Sequence, residues 1–163
     1  MPQENIMNTI EQQAGGEKKL SPLEQAKITV ASSLHDQWRA SRRKEDGTYE
    51  PRMKDDGLGG QVDIANTEYI NLPEKWQGEN KTAAETAVNI VYGAKQEGKD
   101  VTTPEFLEEA SASVHEEWMK RNPKADWNAA QHVPYSELSE PEKQKDRDHV
   151  VLAILNLTPP TAE

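Results

Sequence analysis

The sequence of 163 residues contains no cysteine and a single phenylalanine, and only 34% of its residues are hydrophobic. Without cysteine it can form no disulfide, no thiolate nucleophile and no cysteine-ligated zinc site. The hydrophobic share lies well below the roughly 45–50% of a typical globular domain, a count that includes glycine. We therefore expect no large enzyme-type core, and we expect part of the chain to be disordered.

Long apolar runs are missing as well. No stretch approaches the roughly 20 apolar residues that span a membrane. The N-terminus lacks the charged-then-apolar pattern of a signal peptide. These absences predict a cytoplasmic protein with no membrane partner.

Positive charge is scarce, since 19 Lys and Arg residues stand against 29 Asp and Glu residues, a formal net charge of −10. A nucleic-acid polymer needs a basic face for its phosphates, so the charge argues against such a partner. One small anion held by a local group of arginines remains compatible with it.

Signatures of catalysis are also absent. The sequence contains no Gly-x-Ser-x-Gly elbow and no phosphate loop. The segment from His115 begins like the zinc-protease pattern His-Glu-x-x-His, but its fifth residue is Met119. We therefore predict that the protein is not an enzyme and that it uses no metal and no cofactor.

Four segments show the spacing of apolar residues that is typical of amphipathic helices. Ser21, Thr103 and Ser139 are predicted N-caps, with proline close behind each of them. The remaining helix is predicted to follow Leu72-Pro73, and residues 44–71 are predicted to be an irregular loop. The expected fold class is mainly α, with long loops and little or no sheet.

The chain contains an internal repeat. His35-x-x-Trp38 ends the first predicted helix, and His115-x-x-Trp118 ends the third. Each is followed by a polar loop, a Tyr-x-x-Leu segment and a further helix. This pattern predicts two helix–loop–helix units that pack with pseudo-two-fold symmetry, because each alone is too small to bury its apolar face.

The repeat predicts the organisation of the chain. Residues 1–20 are expected to be a flexible leader and residues 158–163 a C-terminal tail. The first unit covers 21–98, with an inserted loop at 50–66, and the second covers 99–157. Equivalent residues of the two units would face a shared groove.

The second unit carries a recognisable motif. Residues 133–138 read V-P-Y-S-E-L and residues 142–147 read E-K-Q-K-D-R. With His115-x-x-Trp118, they resemble the RyR domain, a tandem repeat named after the ryanodine receptors and also found in bacterial and phage proteins. The first unit departs from the family pattern, because Asn80-Lys81 stand where the family has Asp-Arg.

The resemblance implies a small non-catalytic helical module. Its cleft between the repeats would hold an adenine nucleotide or a cyclic-nucleotide signal, with the His-x-x-Trp tryptophans lining the cleft. In prokaryotes such domains accompany nucleotide-signalling defence systems. The implied function is to sense a nucleotide-type ligand or to sequester it, as a phage-type sponge does.

Seven residues are candidate ligand contacts, each with a structural alternative. Trp38 and Trp118 could stack on a base or close the ends of their helix stripes. Arginines bind phosphate with two parallel hydrogen bonds, which makes Arg42 and Arg52 candidates, although Arg42 could instead pair with a helix C-terminus. The remaining aromatic candidates are Tyr49, Trp127 and Tyr135; Trp127 could instead plug its loop, and Tyr135 could anchor a turn.

Two further expectations are structural. His35 and His115 are expected to bond to loop carbonyls, and Asp146-Arg147 is expected to form an internal ion pair or to clamp a turn. The alternative function is a protein–protein interaction or assembly module, including a homo-oligomer, in which side chains fill the groove. The sequence leaves open whether loop 50–66 covers the groove as a lid.

Overall fold

The computed structural model describes residues 20–158, and helices dominate this part of the chain. The predicted mainly α fold with little sheet is confirmed. The predicted leader lies outside the described residues except for Leu20, and so does the predicted tail except for Thr158. The elements are α1 (Pro22–Ala40), β1 (Met53–Asp55), β2 (Gln61–Asp63), α2 (Glu74–Gln96), α3 (Pro104–Arg121) and α4 (Glu140–Leu157).

Three of the helices begin at the predicted caps. The hydroxyls of Ser21, Thr103 and Ser139 each accept a hydrogen bond from the main-chain N–H three residues later, at 3.1, 3.0 and 3.4 Å. Each bond satisfies an amide that the helix itself leaves without a partner. α2 starts after Pro73 with no side-chain cap. Within residues 20–158, no helix has both the length and the apolar composition needed to cross a bilayer.

The core is built from small side chains around α2, which packs against the other three helices. Val88 and Val91 are fully buried, and burying each valine is worth about 1.5–3 kcal/mol. Alanines surround them and allow the helix backbones to approach closely. The buried face of α2 consists of Ala83, Ala84, Ala87, Val88, Val91 and Ala94.

The predicted irregular loop at 44–71 is more ordered than expected, because β1 and β2 form an antiparallel hairpin within it. The carboxylate of Asp56 closes the hairpin turn, since it accepts hydrogen bonds from the main-chain N–H groups of Leu58 and Gly60 at 2.7 and 3.0 Å. Gly57 and Gly59 adopt positive φ angles of 80° and 93°, which glycine tolerates best. Strands of three residues are too short to produce a readable alternation, so the sequence indicated only a loop.

Two histidines, His35 and His115, make the same kind of contact in different parts of the structure. Nε2 of His35 lies 2.8 Å from the carbonyl oxygen of Thr67, and Nε2 of His115 lies 2.8 Å from that of Val133. Both predicted bonds to loop carbonyls are therefore confirmed. Each bond ties the C-terminal part of a helix to the loop that follows it.

The Tyr-x-x-Leu segments also match. Residues 69–71 and 135–137 form 3₁₀ turns, and each following leucine donates its main-chain N–H to the tyrosine carbonyl, at 3.1 and 3.0 Å. Both leucines, Leu72 and Leu138, are buried. The grouping of these parts into two repeats with pseudo-two-fold symmetry stays a prediction.

Candidate ligand-binding cleft

A cleft of about 320 Å³ lies between α2, α3 and α4. α3 contributes Trp118 and Arg121, and the loop after it contributes Trp127. Polar residues of α4 form the facing wall. These polar residues are Glu142, Lys145, Asp146 and His149.

The two tryptophans meet in a corner. The ring centroids of Trp118 and Trp127 are 6.4 Å apart and their planes are 83° from parallel, an edge-to-face arrangement. His115 stacks on Trp118, with centroids 5.7 Å apart and planes 15° from parallel, and the centroid of the His132 ring lies 6.3 Å from that of Trp118, with the two planes at 50°. Trp127 is 71% exposed, and its ring is open to a ligand that approaches from solvent.

Four charged side chains of the cleft are already paired. Arg121 donates a 2.9 Å hydrogen bond to Glu79 and so links α3 to α2. Lys145 lies 3.2 Å from the carboxylate of Glu142, one helical turn away on α4. These pairs leave the cleft with little net charge from the four residues.

Asp146 is the most deeply placed carboxyl of the cleft. Its side chain is 14% exposed, and its Oδ2 lies 3.6 Å from Nδ1 of His115. Burial of the carboxyl, reinforced by the nearby charge of Glu142, raises the pKa of Asp146 to about 7. The expected ion pair between Asp146 and Arg147 is replaced by pairs of Arg147 with Glu108 and Glu140. The alternative expectation of a turn clamp fits Arg147, because its partner Glu108 also accepts a hydrogen bond from Tyr135 in the turn at 135–137.

His149 lies beside Asp146 on the same wall. Burial lowers the pKa of His149, since the imidazolium form would lose its hydration. Its Nδ1 lies 2.6 Å from the main-chain oxygen of Lys145. A carbonyl oxygen can only accept, so Nδ1 carries the hydrogen of the neutral ring.

The cleft brings together Trp118 and Trp127 of the seven predicted contacts, and Trp38 is not among its lining residues. Trp38 instead stacks on His35, with ring centroids 5.8 Å apart. The guanidinium of Arg42 lies 5.4 Å from the Trp38 ring centroid. Its N–H groups donate to the main-chain oxygens of Glu50 and Pro51, at 3.0 Å each. Arg42 therefore fastens the loop after α1.

The other three predicted contacts also lie outside the cleft. The guanidinium of Arg39 lies 4.4 Å above the ring of Tyr49. Arg52 is exposed, and its main-chain N–H donates to Asp63 at the end of the hairpin. The hydroxyl of Tyr135 donates a 2.8 Å hydrogen bond to Glu108. Residues 50–66, the possible lid, contribute nothing to the lining of this cleft.

The sequence reasoning did not select Asp146, Arg121 and His149 as binding residues. A signal for the two on α4 was present: positions 146, 149, 150 and 153 share one face of that helix, and two of them are polar among buried Val150 and Ala153. A polar residue on an otherwise buried stripe indicates a lined cavity or a buried partner. For Arg121, at the end of α3, the sequence gave no comparable signal.

Within residues 20–158, no group of three or more His, Asp or Glu side chains is arranged to hold a metal ion. Other cavities border the fold, including one of about 420 Å³ beside Tyr69 and Ile70. The cleft is distinguished from that cavity by its indole corner and its buried carboxyl. No protein-family model matches the chain, and no curated protein is significantly similar to it in sequence.

Proposed function

We propose that this protein is a non-catalytic module that binds a nucleotide-type ligand in the cleft between α2, α3 and α4. The observation that carries the proposal is the corner formed by Trp118 and Trp127, with centroids 6.4 Å apart, in a cleft that the largely buried carboxyl of Asp146 also lines. Flat ring systems with polar edges are the ligands that fit such a corner. The resemblance to the RyR domain implies the same class of ligand.

Stacking supplies the main attraction in this proposal. The space beside an edge-to-face pair is bounded by one face of each ring, so a base would lie on one indole and touch the other. Stacking of a base on an aromatic side chain is worth about 1–3 kcal/mol. Arg121 and Lys145 are the cations of the cleft wall that would meet a phosphate.

The absence of a catalytic role is part of the proposal. Of the histidines that border the cleft, His115 is held by Val133 and His149 by Lys145, each through one ring nitrogen. Among residues 20–158, neither forms a hydrogen bond with a serine or threonine hydroxyl. The protein would sense or sequester its ligand unchanged, and we propose a cytoplasmic location because nucleotide ligands are met there.

Calorimetric titration with AMP, ATP and cyclic AMP tests the proposal. We expect at least one of them to bind and to raise the melting temperature. Trp127→Ala should weaken that binding by about 5- to 150-fold, the loss of one stacking contact. The fold should tolerate this substitution because the side chain is largely exposed.

Trp38→Ala is the matched control. Trp38 also follows a stacked histidine by three residues but does not line the cleft, so we expect wild-type affinity. An equal loss of affinity in both variants would show that the ligand does not bind in the cleft. No binding of any probe at millimolar concentration would refute nucleotide binding and favour the alternative of a protein interaction module, for which light scattering would reveal a homo-oligomer.

A further inference from the structure

The charges of the cleft single out Asp146. Glu79 is bound by Arg121 and Glu142 is bound by Lys145. Asp146, in contrast, faces an imidazole rather than a permanent cation, with Oδ2 3.6 Å from Nδ1 of His115. It is therefore the carboxyl of the cleft wall that a cationic ligand could neutralise without breaking an Arg or Lys ion pair.

The hydrogen bond of His115 determines which of its ring nitrogens faces Asp146 as an acceptor. Its Nε2 must carry a hydrogen, because the atom 2.8 Å away is the carbonyl oxygen of Val133, which can only accept. In the neutral ring, Nδ1 is then an acceptor that faces the carboxyl of Asp146. Two acceptors that face each other favour a proton between them, so the Asp146 carboxyl holds its proton more readily here than in water.

The aromatic corner beside this pair attracts positive charge. The face of an indole carries negative electrostatic potential, and cations over tryptophan are bound most strongly where water is excluded. A cation in the corner would also stabilise the ionised carboxylate of Asp146 and so compensate for the hydration that this carboxylate loses on burial. A proton held by Asp146 would leave as the cation enters.

We propose that the cleft selects nucleotide-type ligands whose ring bears a permanent positive charge, with Asp146 as the residue that neutralises this charge in the Trp118–Trp127 corner. Pyridinium nucleotides have this chemistry. The inference rests on the proposed function and adds a charge requirement to it.

One matched pair of probes tests the requirement: oxidised against reduced nicotinamide mononucleotide. The two have the same sugar and phosphate, and only the oxidised ring is a pyridinium, which keeps its positive charge at every pH of the experiment. At pH 8 we expect the cationic member to bind at least about tenfold more tightly. Asp146→Asn should reduce this preference to less than about threefold, while Asp148→Asn, on the same helix but outside the cleft lining, should keep it.

The pH dependence gives a second readout. Affinity for the cationic probe should rise from pH 6 to pH 8 in the wild type, because binding displaces a proton, and affinity for its neutral partner should rise less. The raised pKa of Asp146 agrees with this range. The charged and titratable groups that line the cleft together with Asp146 are Glu79 of α2, His115 and Arg121 of α3, and Glu142, Lys145 and His149 of α4.

The outcomes separate the two proposals. Equal affinities for the two forms would overturn the charge requirement and leave nucleotide binding intact. A preference that survives in Asp146→Asn would overturn the role of Asp146. If neither form binds while AMP, ATP or cyclic AMP does, the charge requirement alone is refuted, and if all of them fail, the proposed function and this inference are both refuted.

Discussion

The indole N–H of Trp76, in the first turn of α2, donates a 2.6 Å hydrogen bond to the main-chain oxygen of Asp55 at the end of β1. Lys75 adds a 3.1 Å ion pair with the carboxylate of the same aspartate. The ammonium groups of Lys54 and Lys75 each lie 5.2 Å from the Trp76 ring centroid. These contacts fasten the β1–β2 hairpin to α2.

Trp76→Phe should loosen this attachment more than it disturbs the core, against which the Trp76 ring packs. The variant keeps an aromatic ring but loses the N–H donor, which is worth about 1 kcal/mol. We expect amide hydrogen exchange in residues 53–63 to quicken about fivefold, with a smaller change in residues 83–94. Equal acceleration in both regions would mean that Trp76 supports the whole fold instead of the hairpin.

Ser111 carries a buried hydroxyl for which the described part of the chain offers no hydrogen-bond partner. The matching position of the first half, also four residues before the histidine, is Ala31, which is 1% exposed. Ser111→Ala should therefore raise the free energy of unfolding by about 1 kcal/mol, because it removes a desolvated polar group. Ala31→Ser is the reverse experiment and should destabilise by a similar amount. Urea denaturation of both variants checks the pair, and a destabilised Ser111→Ala would contradict it.

Helix positions could be predicted from the sequence because caps and apolar spacing act locally. Ser21, Thr103 and Ser139 each needed only the following few residues to specify a helix start. The hairpin could not be predicted, since it depends on a contact with Trp76 that is remote in sequence. The turn between β1 and β2 is formed by Gly and Asp residues, and in a sequence these residues indicate an irregular loop as well as they indicate a hairpin turn.

The site was harder to predict than the fold. Trp118 and Trp127 share a cleft, whereas Arg42 and Tyr135 spend their hydrogen-bonding groups on other residues of the protein. Residue type alone cannot distinguish an arginine whose guanidinium is available to bind phosphate from one that donates its hydrogen bonds to main-chain carbonyls. For Arg42, the path of the loop after α1 decides which of these roles the guanidinium has, because the loop brings the carbonyls of Glu50 and Pro51 to it.

Arg147 forms a clamp with two carboxylates. It donates to Glu108 at 2.7 and 3.2 Å and to Glu140 at 3.0 Å, and Tyr135 donates to the same Glu108. The hydrogen bonds from Arg147 and Tyr135 lower the pKa of Glu108. At the matching positions the first half has Lys81 and Ile28, which cannot form this clamp.

Arg147→Lys should lower the melting temperature at pH 7, because a lysine ammonium cannot make the paired hydrogen bonds of a guanidinium. The lowered pKa of Glu108 means that its stabilisation is present above the ordinary glutamate pKa and is lost as pH falls through the lowered one. The difference between wild type and variant should therefore shrink at pH 3. A difference that stays constant from pH 7 to pH 3 would show that Glu108 is not the partner that matters.

Asp146 should make the protein less stable as pH rises. Its pKa is raised in the folded state to about 7, so the folded state binds the proton more tightly than the unfolded chain does. Between about pH 4 and pH 7 this group lowers the free energy of unfolding with increasing pH, by a total on the order of 4 kcal/mol. His149 acts in the opposite direction, because its lowered pKa makes the unfolded chain the stronger binder of that proton.

The pH dependence of wild-type stability contains the opposing contributions of Asp146 and His149, and a variant of Asp146 separates them. Asp146→Asn removes the costly buried charge, and it copies Asn80, the residue at the matching position of the first half. We expect the variant to exceed the wild type in unfolding free energy at pH 8 and to lose this advantage at pH 5, as measured by urea denaturation. Asp148→Asn should follow the wild type at both values. A gain for Asp146→Asn that is equal at pH 5 and pH 8 would mean that the Asp146 carboxyl does not titrate in this range, since only a titrating group can make the difference depend on pH.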